Sequence, residues 1–220
     1  SCHEGSRAIL TPPFEEWDMR VLAIANQKGG VGKTTTAINL GTALAAAGKG
    51  VLIFDTDPQG NASTGLDIHP HDRNVTSYDV LVGQLQLSKA VLPTKVPNLY
   101  ITPGDARLSG VEGELMGEAQ PQFFLRNAIE KFRAESTLGV DYMLIDCPPS
   151  LNVLTVNALT AADGVLVPLQ TEYFALEGLA QLVATINAVK VNLNPALEIQ
   201  GVVLTMYDKR TTLSEQVAEE

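Results

Sequence analysis

Residues 26–36 read Asn-Gln-Lys-Gly-Gly-Val-Gly-Lys-Thr-Thr-Thr, which brings together what an anion-binding loop needs. Gly29, Gly30 and Gly32 let successive backbone N–H groups turn inward around an anion. An Ala- and Leu-rich stretch follows, and the N-terminus of a helix there adds a favourable dipole. Lys33 supplies a cation for phosphate oxygens, and the Thr34 hydroxyl, followed by Thr35, stands where Mg²⁺ is held. A Gly-rich turn that merely links strand to helix would need neither the Gly-Lys-Thr triplet nor the preceding apolar run Val21–Ala25. The usual pattern Gly-x-x-x-x-Gly-Lys-[Ser/Thr] nevertheless fails here, because Gln27 occupies the place of its first glycine. A second lysine, Lys28, lies just inside. The residues alone leave it open between a solvated surface lysine and a cation at the phosphates.

Two further stretches are acidic at the end of an apolar run. In Phe-Asp-Thr-Asp-Pro-Gln-Gly, Asp55 and Asp57 stand two apart before Pro58. Two carboxylates beside a phosphate site point to metal or water positioning, since Mg²⁺ keeps several waters that carboxylates hold. In Tyr-Met-Leu-Ile-Asp-Cys, the run 142–145 ends in Asp146. That pattern is common by itself and gains meaning from the loop in the same chain. Cys147 is expected to be a small buried neighbour rather than a catalytic thiol, with no histidine near it in sequence. None of His3, His69 and His71 falls in a motif.

The elements that must position these residues alternate. Short apolar runs at 21–26, 51–55, 99–102, 142–146, 164–169 and 199–206 are expected strands, continuous rather than alternating, as strands buried on both faces are. Between them lie helical stretches: 33 to the glycines at 48 and 50, a weak one at 77–85, one from Pro121 to Glu135, and a strong one over 174–193. Residues 65–97 are expected to hold surface loops and small helices. Strands alternating with helices imply an α/β fold with a mostly parallel sheet flanked by helices on both faces. Ligands then sit at the carboxyl ends of the strands, where all three motifs fall.

Composition narrows the classes. Apolar residues make up 45% of 220, enough for a buried core, and the 5% aromatic content leaves small aliphatics to fill it. A net charge of −10 excludes a uniformly basic nucleic-acid surface but not a local patch. Two unpaired cysteines suit a reducing compartment, and no apolar run is long enough to span a bilayer. The first residue is not Met, and Met19 directly precedes the first strand. Residues 1–18 are therefore expected to be an extension outside the core. Residues 19–220 are expected to form a single domain, continuing beyond the helix-like Leu-Ser-Glu-Gln-Val-Ala-Glu-Glu at the end.

Across these stretches, and across "VPLQTEYFALEGLAQL" and "GVVLTMYDKRTTLSEQV", the chain resembles the ParA/Soj family of deviant Walker A ATPases, which partition chromosomes and plasmids. The resemblance implies a P-loop NTPase fold, ATP and Mg²⁺ as ligands, and slow basal ATP hydrolysis. It implies Lys28, Gly29, Gly30, Val31, Gly32, Lys33, Thr34 and Thr35 around the phosphates. Lys28 would reach across a homodimer to the partner's ATP, acting with Lys33 and Asp57 in catalysis. Asp57 would orient the attacking water, and Thr34, Asp57 and Asp146 would serve the metal. Asp55 would be structural or assist near the metal. Met206 and Asp208 would lie by the adenine, and Arg210 would contact DNA without sequence preference. The implied partners are a second copy, nonspecific DNA and a ParB-type centromere-binding protein, with no membrane and a bacterial, nucleoid-associated, cytoplasmic location. A MinD-like membrane-cycling ATPase and a P-loop metabolic enzyme remain as alternatives. A redox protein like the nitrogenase iron protein would need cluster-ligating cysteines that the matched region lacks.

Overall fold

A computed structural model describes residues 19–170 and 175–207. Its strands are β1 (Arg20–Ile24), β2 (Val51–Asp55), β3 (Leu92–Pro93), β4 (Leu99–Thr102), β5 (Tyr142–Asp146), β6 (Gly164–Gln170) and β7 (Glu198–Thr205). Its helices are α1 (Lys33–Ala46), α2 (Asn61–Gly65), α3 (Ser77–Leu81), α4 (Val111–Leu115), α5 (Phe124–Glu135), α6 (Val153–Ala161) and α7 (Ala175–Asn192). The sheet runs β3-β4-β2-β5-β1-β6-β7. Every pair is parallel except β3 with β4 at the edge.

Alternate residues of the central strands feed two separate cores, which is why these strands read as unbroken apolar runs. On one face, Val21, Ala23, Leu52, Phe54, Met143 and Ile145 pack with Leu81, Leu125, Ile129, Leu154 and Leu182 from α3, α5, α6 and α7. On the other, Leu22, Ile24, Ile53, Leu99 and Leu144 pack with Ala37 and Ala45 of α1. Small residues along α1 let it lie close to the sheet. A Cβ at Gly41 would already stand 3.1 Å from Ile53 Cδ1.

The expected strands form, with the last one ending at Thr205 and Met206 turning away at φ 54°. The helices depart from expectation in places. α5 starts at Phe124, not at Pro121, because the Asn157 side chain of α6 takes the Pro121 carbonyl (2.8 Å) while accepting from Leu125 N–H (3.2 Å). α6 itself has no counterpart among the expected helices. It is buried nearly all round, so its sequence Val-Leu-Thr-Val-Asn-Ala-Leu-Thr-Ala shows no amphipathic stripe. Its start is marked instead by Asn152, whose side chain accepts from Leu154 and Thr155 N–H. Helix over 77–85 shrinks to α3, and Gly83 at φ 72° follows it. The short antiparallel β3 was not foreseen. Residues 1–18, Asp208 and Arg210 lie outside the described residues.

Register between β2 and β5 is pinned before the strands begin. Gly50 N–H donates to Asp141 Oδ2 at 2.7 Å, and its carbonyl accepts from Asp141 N (2.8 Å) and Tyr142 N (3.1 Å). A Cβ on Gly50 would overlap the Gly139 carbonyl oxygen. Gly50→Ala is expected to lose about 2 kcal/mol or more of unfolding free energy, read from the urea midpoint at unchanged slope. An unchanged midpoint would show that this clasp does not constrain the strand ends.

Candidate active site

β2, β5 and β1 are neighbours in that order, so their carboxyl ends form one ledge. Asp146 pairs in register with Ile24 on one side and with Asp55 on the other. The three motifs, far apart in the chain, therefore meet at the centre of the sheet.

The loop is built from the strand end upward. Asn26 is buried; its amide donates to the Pro168 carbonyl (2.7 Å) and its Oδ1 accepts the Lys28 N–H (3.0 Å). Gly30 (φ 75°) and Gly32 (φ 87°) occupy the left-handed region, where glycine is strain-free. Gly32 caps α1 without any side-chain acceptor, so the first N–H groups of the helix are left to another partner. Thr205 Oγ1 at the end of β7 donates to the Val31 carbonyl at 2.8 Å and packs against Gly32. Gln27, in the place of the missing glycine, turns outward. Its amide donates to the Gly178 carbonyl (3.3 Å) and to Gln181 Oε1 (2.8 Å), fastening the loop to α7.

Lys33 is 7% exposed, and its Nζ donates to the Lys28 carbonyl at 2.9 Å. Burial holds its ammonium below its ordinary pKa, while Asp146 and Asp57 pull it back up. Thr34 Oγ1 donates to Asp146 Oδ2 at 2.8 Å. The other oxygen, Asp146 Oδ1, is buried with no hydrogen-bond partner among the described residues. A buried carboxylate oxygen without a donor is costly, and it is the kind of group that a cation or an ordered metal-bound water satisfies. Burial first, then the neighbouring Asp55, pushes the Asp146 carboxyl up to about 7.

Asp55 and Asp57 separate into different tasks. Asp55 is wholly buried. Its Oδ2 accepts from Ser63 N (3.0 Å) and Ser63 Oγ (2.6 Å), and its Oδ1 from Asp57 N (3.1 Å). Burial raises its pKa against those hydrogen bonds. Its carboxylate thus shapes the turn after β2. Asp57 lies one step further out, at 8% exposure, with Oδ1 accepting from Gln59 N at 2.9 Å.

Among the other expected site residues, Gly29 has open space around it, Val31 is buried, and Thr35 is exposed on α1. Lys28 is half-buried at the loop. Met206 is exposed just beyond β7 and follows Thr205, which touches the loop. Cys147 is buried and its thiol is pushed up by burial, which fits the small buried neighbour expected there. Asn26, Ser63 and Thr205 carry much of the framework but did not stand out in the sequence. Only Asn26, a side chain suited to bonding backbone two residues on, offered a signal.

Asp146 makes the stability pH-dependent. Its folded pKa is raised above the ordinary 3.8, so the folded state holds the proton that the unfolded state releases. Its contribution is full below about 4 and is lost as pH rises toward about 7. With chelator and without nucleotide, the stability of wild type relative to Asp146→Asn is expected to fall by roughly 2 kcal/mol between pH 5 and 7. Denaturant titrations across that range measure it, and a pH-independent difference would contradict it.

Comparison with known proteins follows the same outline. A family model described as an AAA domain matches residues 19–199. The chain is 63% identical over 202 residues to the chromosome partitioning protein ParA of Caulobacter vibrioides, covering 92% of this chain and 75% of that protein. It is 49% identical over 201 residues to the sporulation initiation inhibitor protein Soj of Bacillus subtilis, covering 91% and 78%. Among solved structures, a cobyrinic acid a,c-diamide synthase from Mycobacterium smegmatis with bound ADP and magnesium is similar at TM-score 0.86 and 42% identity, covering 92% of this chain and 80% of that one. The chain belongs to the family of chromosome-partitioning ATPases that includes ParA and Soj.

Proposed function

We propose that this chain is the ATP-driven switch of a DNA segregation system: ATP binding makes a dimer that holds DNA, and hydrolysis releases it. The observation that carries the reading is the junction of Thr34 and Asp146. Their hydrogen bond leaves a second carboxylate oxygen without a partner among the described residues, beside a glycine-rich loop and a buried lysine.

The loop from Lys28 to Thr35 and the N-terminus of α1 cradle the phosphates of ATP. Lys33 exchanges the Lys28 carbonyl for phosphate oxygens. Thr34, Asp57 and Asp146 would serve Mg²⁺, with Asp146 acting through water. Magnesium, when bound, neutralises charge shared between the outer phosphates. Asp57 orients the attacking water. Lys28 acts on the nucleotide of the other subunit, as an arginine finger acts in trans, and so couples dimerisation to ATP. Met206 and Asp208 would contact the base. Arg210 would contact DNA phosphates, and such binding weakens steeply with salt. A ParB-type partner stimulates an otherwise slow turnover. Residues from 19 onward work as one ATPase domain, in a bacterial cytoplasm and on the nucleoid.

One observation favours a second reading, the similarity to a solved enzyme named for amide formation on cobyrinic acid. The partition relatives outweigh it, with identity up to 63%. No helix of the described residues is long and apolar enough to cross a membrane, which leaves a membrane-cycling role to experiment. Co-sedimentation of the full-length protein with plasmid DNA and with anionic liposomes, each with ATP or ADP, separates these readings. ATP-dependent binding to DNA and not to liposomes is expected. The opposite pattern would overturn the proposal in favour of a membrane-cycling ATPase, and binding to neither would favour a metabolic enzyme.

Lys28→Ala is expected to abolish ATP-induced dimerisation in analytical ultracentrifugation while nucleotide affinity stays within about tenfold of wild type. Normal dimerisation by that variant would remove the trans role.

A further inference from the structure

The turn that presents Asp57 is held from inside by Asp55. It is also held from outside, by a residue that no motif contains. Arg73 follows a short turn at Pro70–Asp72 and is half-buried. Its Nη2 donates to the Gly60 carbonyl (3.1 Å), to Thr64 Oγ1 (2.8 Å) and to the Ile68 carbonyl (3.0 Å). Its Nε donates to the Ile68 carbonyl as well (3.1 Å), and its Nη1 to the Gly104 carbonyl (2.9 Å). Among the described residues its partners are all neutral oxygens, so the guanidinium serves to gather backbone rather than to pair with an acid.

Those oxygens belong to the segments that frame Asp57. Gly60 ends the turn that begins at Asp57: its N–H donates to the Asp57 carbonyl at 2.9 Å, and it sits at φ 59°. A Cβ on Gly60 would overlap the Arg73 guanidinium. Gly104, after β4, presses on the same turn. A Cβ there would stand 2.9 Å from the Asp57 carbonyl oxygen, and the Gly104 N–H donates to Ser63 Oγ, itself bonded to Asp55. Arg73 thus ties the far end of the Asp57 turn to the end of β4. A planar fork with five N–H donors suits several carbonyls at once, whereas a lysine ammonium has three donors at one point.

We propose that Arg73 is a positioning residue for hydrolysis: it fixes the turn from Asp57 to Gly60 so that the Asp57 carboxylate stays aimed at the attacking water. The inference rests on the reading of Asp57 as the water-orienting acid. A residue that only stabilised the fold would change the fraction of folded protein but not the turnover of each folded site.

The test uses the full-length protein with Arg73→Ala, Arg73→Lys and Asp57→Ala. Steady-state kcat and KM for ATP are measured, normalised to sites titrated with a nonhydrolysable ATP analogue, alongside the Tm of each variant. For Arg73→Ala, kcat is expected to fall about tenfold or more while KM stays within about threefold, since small misplacement of a catalytic group is costly in rate. Arg73→Lys is expected to regain part of the loss. A kcat within about twofold of wild type per titrated site, or a raised KM at unchanged kcat, would overturn the inference. If Arg73→Ala does not fold, Arg73→Lys decides: a threefold or greater drop in kcat, roughly, supports the role and an unchanged kcat overturns it. An inactive Asp57→Ala beside a normal Arg73→Ala would sink the Arg73 role alone. Wild-type turnover by Asp57→Ala would sink the reading of Asp57 and the inference with it.

Discussion

Burying the carboxylate of Asp146 at the end of a central strand is the constraint on which the rest of the site depends. A carboxyl in that position must stay neutral, be paired, or meet a cation. The fold answers only half of this demand. Thr34 donates to one oxygen, and Thr56 donates through both N–H and Oγ1 to the Asp146 main-chain carbonyl, but the second carboxylate oxygen stays unpartnered among the described residues. The raised pKa follows from burial and from Asp55 alongside. A folded protein tolerates such an arrangement where the deficit is made good by a ligand, and the loop above it is built to deliver one.

The strand order makes this possible. Parallel neighbours present their carboxyl ends on the same edge, and the β2-β5-β1 sequence puts a glycine loop, a carboxylate and an acidic turn side by side. Around this ledge the chain spends side chains on backbone. Asn26 holds the start of the loop, Gln27 fastens it to α7, and Thr205 fastens its middle to β7. Asp55 and Arg73 grip the acidic turn from its two sides. Preorganised groups cost no reorganisation when the reaction occurs, so this bracing suits a site whose work is positioning.

Much of the fold was legible because the central strands are buried on both faces and read as apolar runs that glycines and acids terminate. The wide amphipathic and Ala-rich helices were legible for similar reasons. α6 escaped because a helix surrounded by protein has no polar face to betray its period. The start of α5 was misplaced because Pro121, a favourable first residue by local rules, has its carbonyl claimed by Asn157 from another helix. The phosphate loop was legible from glycine spacing and the Gly-Lys-Thr triplet. The distinction between Asp55 and Asp57 came from the resemblance and not from the residues themselves, because two identical side chains two residues apart differ only in what surrounds them.

By itself the sequence determined the chemistry available: glycines to turn N–H groups inward, a lysine and threonine at the start of a helix, and carboxylates at the ends of apolar runs. Local geometry suffices for that, since a loop's shape and a helix's N-terminus depend on residues close in the chain. Only the tertiary structure decided which of these groups share a site and what each can do there. Strand order brought Asp146 beside Asp55 and Thr34. Burial left one oxygen of Asp146 without a partner among the described residues, and contacts reaching far along the chain turned Gln27 outward to α7 and brought Arg73 onto the Asp57 turn. Those outcomes depend on solvent exclusion and long-range pairing, which no window of sequence contains.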